Sequence, residues 1–88
     1  MLSDAEKELI LTCAHKYGVT ELYLFGSTLE SDQYRDIDLG VKGVPPMLFF
    51  KFYGELLRKL SRSVDVVDLS KRSRFTEIVE KEGVKLYG

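Results

Sequence analysis

The six residues from Asp36 to Val41 alternate strictly in character. Asp36, Asp38 and Gly40 fall on one side, and Ile37, Leu39 and Val41 on the other. A period of two describes a β-strand with one face in the core. It also places two carboxylates next to each other on the opposite face. Like charges so placed repel, and each loses solvation against a sheet. A divalent cation removes that repulsion.

The chain around this strand has 88 residues. A chain of that size buries roughly 60–65% of the surface its unfolded form exposes, which supports one core and hence one domain, residues 1–88. Ser3 to Tyr17 reads as an amphipathic helix: Ser3 and Glu6 form a capping box, and Gly18 is placed to end it. Glu21 to Phe25 is a short buried strand that stops at Gly26. Ser27 to Arg35 is polar and begins with a short helical turn. Pro45-Pro46 leads into a helix from Met47 to Leu60, with Phe49, Phe52, Tyr53, Leu56, Leu57 and Leu60 on one side. Lys51, Glu55, Arg58 and Lys59 fill the other side, and Leu48 and Phe50 widen the apolar arc beyond what a core of this size absorbs. Val64 to Leu69 is a β-branched strand. Arg74 to Glu82 is a final helix with Phe75, Ile78 and Val79 inward, and Val84 to Tyr87 adds a last short strand. The order of the main elements is αβαβαβα, an α/β fold with helices around a small sheet.

Composition narrows the chemistry. Thirteen Lys and Arg against 14 Asp and Glu give a net charge of −1, which argues against a module that binds duplex nucleic acid by neutralising phosphates. Residues 1–40 hold eight acids and three bases; residues 41–88 hold six acids and ten bases, a basic half that reads as solvated surface or as a rim for a polyphosphate or acidic partner. One Cys and one His exclude an intrachain disulfide and any multi-cysteine or multi-histidine metal site. A metal must then be held mainly by carboxylates, which favour Mg²⁺, Mn²⁺ or Ca²⁺. No apolar run approaches the ~20 residues of a membrane span. Met1-Leu2-Ser3-Asp4 leads straight into a charged helix pattern, so a cytoplasmic protein is expected. Cys13 falls on an apolar face as a small core residue, and His15 is a surface residue near a helix C-terminus. Tyr23 and Tyr53 read as packing residues with wet hydroxyls. Tyr34 flanks the Asp strand and is a candidate for stacking on a base.

The chemistry gathers around the carboxylates. Asp65, near the start of a neighbouring strand, is the third acidic candidate; Asp68 lies on the opposite face by parity. Two Asp, a third carboxylate and substrate phosphates form a usual setting for Mg²⁺. Gly26 allows a phosphate close to the backbone, and Ser27 offers a hydroxyl at the start of the polar segment. Phosphate beside carboxylate-held Mg²⁺ describes in-line phosphoryl or nucleotidyl transfer. For this arrangement to work, the Glu21–Phe25 strand must run antiparallel to the Asp36–Val41 strand. The Asp65 strand must lie parallel and adjacent to it.

Phe25-Gly26-Ser27, then Asp36-Ile37-Asp38-Leu39-Gly40-Val41, with Val64-Asp65-Val66-Val67, resembles the minimal nucleotidyltransferases of the DNA polymerase β superfamily. The likeness covers almost the whole chain, including the closing Glu82 to Tyr87. It implies the nucleotidyltransferase fold, a small mixed sheet flanked by helices. It implies two Mg²⁺ ions with a bound nucleotide, held by Asp36, Asp38 and Asp65 as metal and catalytic residues, and Gly26, Ser27 and Thr28 against the phosphates of ATP or another nucleoside triphosphate. It further implies a helical HEPN partner in a toxin–antitoxin pair, the small transferase being the antitoxin that moves AMP onto the toxin. Eight residues separate Ser27 from Asp36, and Glu30 and Asp32 stand near the phosphate position; Lys42, Arg35 or a partner side chain is then needed for positive charge. These features suggest the alternative, a binding module that neutralises its partner by occlusion. The wide apolar arc of the Met47–Leu60 helix predicts a covering chain, either that partner or a second copy, with Leu48 and Phe50 at the contact.

Overall fold

The computed structural model describes residues 2–26 and 36–88. Its elements are α1 (Asp4–Lys16), β1 (Glu21–Leu24), β2 (Asp36–Lys42), α2 (Pro46–Lys59), β3 (Ser63–Asp68), α3 (Arg74–Glu82) and β4 (Val84–Tyr87). The expected helical turn after Ser27 lies outside the described residues, as do Ser27, Thr28, Tyr34 and Arg35. Both bonds of the α1 capping box are present: Glu6 N–H donates to Ser3 Oγ at 3.1 Å, and Ser3 N–H to Glu6 Oε1 at 2.9 Å.

The four strands lie in the order β3-β2-β1-β4. β1 is antiparallel to β2 and to β4, whereas β3 runs parallel to β2. The mixed sheet therefore has the strand directions the carboxylates require. Parallel neighbours need a crossover, and α2 supplies it.

The side-chain period of two sorts the sheet into two faces. Leu22 and Leu24 of β1, Ile37, Leu39 and Val41 of β2, and Val64 and Val66 of β3 pack in one cluster with Ile10, Cys13 and Ala14 of α1 and with Phe52 and Leu56 of α2. Ile10, Leu22, Ile37, Leu39, Phe52 and Leu56 are fully buried, and each such side chain stabilises the fold by about 1.5–3 kcal/mol. The opposite face holds a smaller cluster, in which Tyr23, Phe25, Val67 and Leu69 meet Val79 of α3.

Three sequence expectations are corrected. Glu55 is buried, not on an outward face. α2 packs against α1 as well as the sheet, so the side of α2 turned toward α1 is covered too. There Glu55 Oε1 accepts from Lys16 Nζ (2.8 Å) and Tyr17 OH (2.9 Å), while Oε2 accepts from Lys59 Nζ (3.0 Å) and Cys13 Sγ (3.2 Å). These donors hold the Glu55 carboxyl well below the usual carboxylate range. Burial first, and then the same carboxylate, push the Cys13 thiol up to about 11. Secondly, Leu57 is half exposed, because the helix rotates it past the edge of the sheet contact. Thirdly, Phe75 and Ile78 are half exposed, and within α3 the buried side chains are Thr76 and Val79. The extreme exposures fall at the start of α2, where Met47 is 89% and Phe50 79% exposed.

Candidate active site

β2 and β3 bring the acidic residues to one face. In the parallel register Asp38 pairs with Asp65 and Asp36 with Ser63. Adjacent strands stand about 4.8 Å apart, so Asp38 and Asp65 are immediate neighbours, with Asp36 two residues along the same face. Asp38 is half-buried; Asp36 and Asp65 are exposed at the same end of the sheet. Asp68 is exposed at the far end of β3, where Oδ1 accepts from Ser70 N–H at 2.9 Å.

The Gly26 turn reaches this face from β1. Phe25 N–H donates to the Asp38 carbonyl at 3.1 Å, extending the β1–β2 ladder to the turn. Gly26 then takes φ +65°, and a Cβ built on it would stand 2.6 Å from Asp38 Oδ2. The glycine is needed twice: for a left-handed backbone and for the close approach of the carboxylate.

Sequence reasoning missed a residue here. Tyr53 of α2 donates from its hydroxyl to Asp65 Oδ1 at 3.3 Å. Burial, and then the charge and hydrogen bond of Asp65, push the Tyr53 hydroxyl up from its ordinary value, so it remains a donor. No local pattern signals this contact. It arises because the crossover lays α2 over β3.

The donor set suits a hard cation: carboxylate oxygens on two adjacent strands, with neither His nor Cys. Among the described residues no three His, Cys, Asp or Glu side chains are gathered into a ready-made cage. Mg²⁺ does not ask for one, since it is commonly held by one or two carboxylates with waters and substrate phosphates completing the shell. The residues therefore fit Mg²⁺ together with a phosphate-bearing ligand.

The expected positive charge is mostly engaged elsewhere. Lys42 pairs with Glu80 and lies 3.9 Å from Glu21. Arg62 holds Glu6 at 2.9 Å, Lys59 holds Glu55, and Arg72 lies 3.6 Å from Glu80. In the basic half, Lys71 and Arg74 are exposed. Exposed His15 has its Nδ1 3.4 Å from the Tyr87 hydroxyl, on the other side of the molecule from the carboxylates.

A mixed sheet in which a Gly turn, an Asp-x-Asp strand and a parallel Asp-bearing strand share one face is the core of the nucleotidyltransferase fold. Residues 7–88 match the family model "Polymerase beta, Nucleotidyltransferase", and the chain belongs to that family, carrying the domain of a nucleotidyltransferase enzyme. The comparison with curated proteins gives no match. Among solved structures, the chain is similar to one in a toxin–antitoxin complex with AMP-PNP, at 26% identity and a TM-score of 0.76 over 93% of this chain and 73% of that one. It is also similar to a chain in the complex of a tri-AMPylated Shewanella oneidensis HEPN toxin with its MNT antitoxin (24% identity, TM-score 0.75, 99% and 73% covered). A third is in the MntA–HepT toxin–antitoxin complex (22%, TM-score 0.73, 98% and 73% covered). At their identities the last two establish the fold alone.

Proposed function

We propose that this chain is a Mg²⁺-dependent nucleotidyltransferase that moves AMP from ATP to a hydroxyl of a helical HEPN-type partner, and that it serves as the antitoxin of that pair in the cytoplasm. The observation that carries the reading is the pairing of Asp38 with Asp65 in register, with Asp36 on the same face and Gly26 against Asp38. The solved relatives support the choice of nucleotide and partner: one was determined with AMP-PNP, and another contains an AMPylated toxin.

In the proposed reaction Asp36, Asp38 and Asp65 bind Mg²⁺. When bound, Mg²⁺ supplies the positive charge that offsets the phosphates and the carboxylate repulsion. Gly26, Ser27 and Thr28 take the phosphates. Asp65 accepts the proton of the acceptor hydroxyl, whose oxygen forms a bond to the α-phosphorus as the bond to the bridging oxygen breaks and pyrophosphate leaves. Tyr53 orients Asp65 through its hydrogen bond and is a positioning residue. The exposed Met47 and Phe50 favour a docking role for α2. That role also serves the second reading, a module that silences its partner by occlusion.

The test is to incubate the chain with its co-purifying helical partner, ATP and Mg²⁺, and to measure the partner's intact mass. A gain of one or more adenylyl groups, lost with Asp38→Asn, supports transfer. A stable, silenced complex with no gain in mass supports occlusion.

A further inference from the structure

The face of the sheet that carries Asp38 also carries an open apolar cleft. Phe25 lies across the β1–β2 ladder from Asp38, to whose carbonyl its amide donates, so the two residues are neighbours on one face. α3 crosses that face and is anchored by Val79, 2% exposed, against Tyr23 and Leu69. Phe75 and Ile78 overhang instead, 46% and 48% exposed. Between them and the end of β1 lies a cleft of about 340 Å³, lined by Phe25, Gly26, Phe75, Ile78, Glu82 and Gly83.

The lining says what the cleft can hold. Among the described residues its one charged side chain is the Glu82 carboxylate, which repels phosphate. The Phe25 and Phe75 rings meet edge to face, with centroids 5.7 Å apart and planes at 82°. Phe25 thus fixes the Phe75 ring while nearly half of Phe75 stays uncovered. A fixed, uncovered aromatic ring is a platform for a flat π-system. Glu82, when ionised, only accepts hydrogen bonds, so it suits a heterocycle with N–H groups at its edge. The volume lies at the small end of the roughly 300–1,000 Å³ of ligand pockets. It fits one heterocycle and is far too small for a partner helix. Gly26 belongs both to the cleft and to the contact with Asp38, so a ligand with its phosphates at Asp38 has its uncharged end within reach.

We propose that this cleft binds the base of the nucleotide, with Phe75 stacking on the ring and Glu82 accepting from an exocyclic amino group. The inference rests on the reading of the chain as a nucleotidyltransferase, and adds the residues that give the base its affinity and selectivity.

Binding of Mg²⁺–ATP and of Mg²⁺–tripolyphosphate, which has the phosphates and no base, separates the two claims. Phe75→Ala should weaken ATP about tenfold and leave tripolyphosphate unchanged, as expected for loss of one stacking contact. The chain has no Trp, so Phe75→Trp introduces a single fluorophore. Its emission should be quenched by ATP and not by tripolyphosphate, which also covers the case of an alanine variant that fails to fold. Equal weakening of both ligands by Phe75→Ala, unchanged ATP affinity, or Trp emission indifferent to saturating ATP overturns the cleft assignment. If the wild-type chain binds tripolyphosphate as tightly as ATP, the phosphate site stands and the cleft alone is lost. If it binds neither, the nucleotidyltransferase reading fails and the cleft assignment falls with it.

Discussion

Asp38 Oδ2 lies 2.6 Å from the point where a Cβ on residue 26 would sit. The turn after β1 and the central acidic residue of β2 are therefore fitted to each other, and the Gly26 backbone and the Asp38 carboxylate cannot be varied independently.

Gly26→Ala should act twice. The left-handed φ of +65° costs a residue with a Cβ about 1–2 kcal/mol, which thermal or urea unfolding will read. The new methyl also displaces the Asp38 carboxylate, so Mg²⁺–ATP affinity should fall by more than the stability loss explains. Ligand affinity measured well below the unfolding midpoint separates the two effects.

Tyr53→Phe removes the hydroxyl from Asp65 Oδ1 and keeps the ring. An exposed hydrogen bond adds little to stability, so the unfolding midpoint should hardly move. A net hydrogen bond of about 0.5–1.5 kcal/mol corresponds to a roughly 2- to 12-fold slower transfer step. Single-turnover transfer to the partner should slow by that factor, with ATP affinity unchanged.

Glu55 gives the fold a pH dependence of definite sign. Its folded carboxyl is held below the ordinary value of 4.5, chiefly by hydrogen bonds from Lys16 and Lys59 and then by those from Cys13 and Tyr17. The stabilisation is fully present above pH 4.5 and is lost as pH falls from there toward the folded value. Glu55→Gln should lower the unfolding temperature at pH 7 and flatten its decline below pH 4.5. Melting curves from pH 3 to 7 on both proteins check this.

Phe50 is 79% exposed on α2, so Phe50→Lys should leave the unfolding temperature unchanged within error. It should weaken co-purification with the helical partner, which pull-down and light scattering will show. Unchanged association places the partner on another surface.

How far the sequence reached depends on whether its signals were local. The Asp36–Val41 alternation, the Ser3–Glu6 capping box and the Gly18 stop each concern a few neighbouring residues, and the strand directions followed from the ends at which Gly26 and Asp36 had to meet. The polymerase β resemblance, carried by Phe25-Gly26-Ser27, Asp36 to Val41 and Val64 to Val67, anticipated the family. What was missed depends on packing between distant elements. Glu55 looks outward on a helical wheel that knows one buried face; α1 covers a second. Phe75 and Ile78 have core-like periodicity, but the side chains this helix buries are Thr76 and Val79. The Tyr53–Asp65 contact joins a helix to the strand it precedes and has no signature in spacing.

The central claim is that Asp36, Asp38 and Asp65 form a Mg²⁺–nucleotide site. Thermal denaturation of the wild type and Asp38→Asn, each with and without Mg²⁺ and ATP, tests it most directly. A ligand bound to the folded state alone at 100 times its dissociation constant stabilises by about 2.7 kcal/mol. For a domain of this size that raises the wild-type midpoint by about 10 °C or more. Asp38→Asn should melt within a few degrees of the wild type without ligand and show no shift with it. A wild type indifferent to millimolar Mg²⁺–ATP, or an Asn variant that shifts equally, contradicts the account.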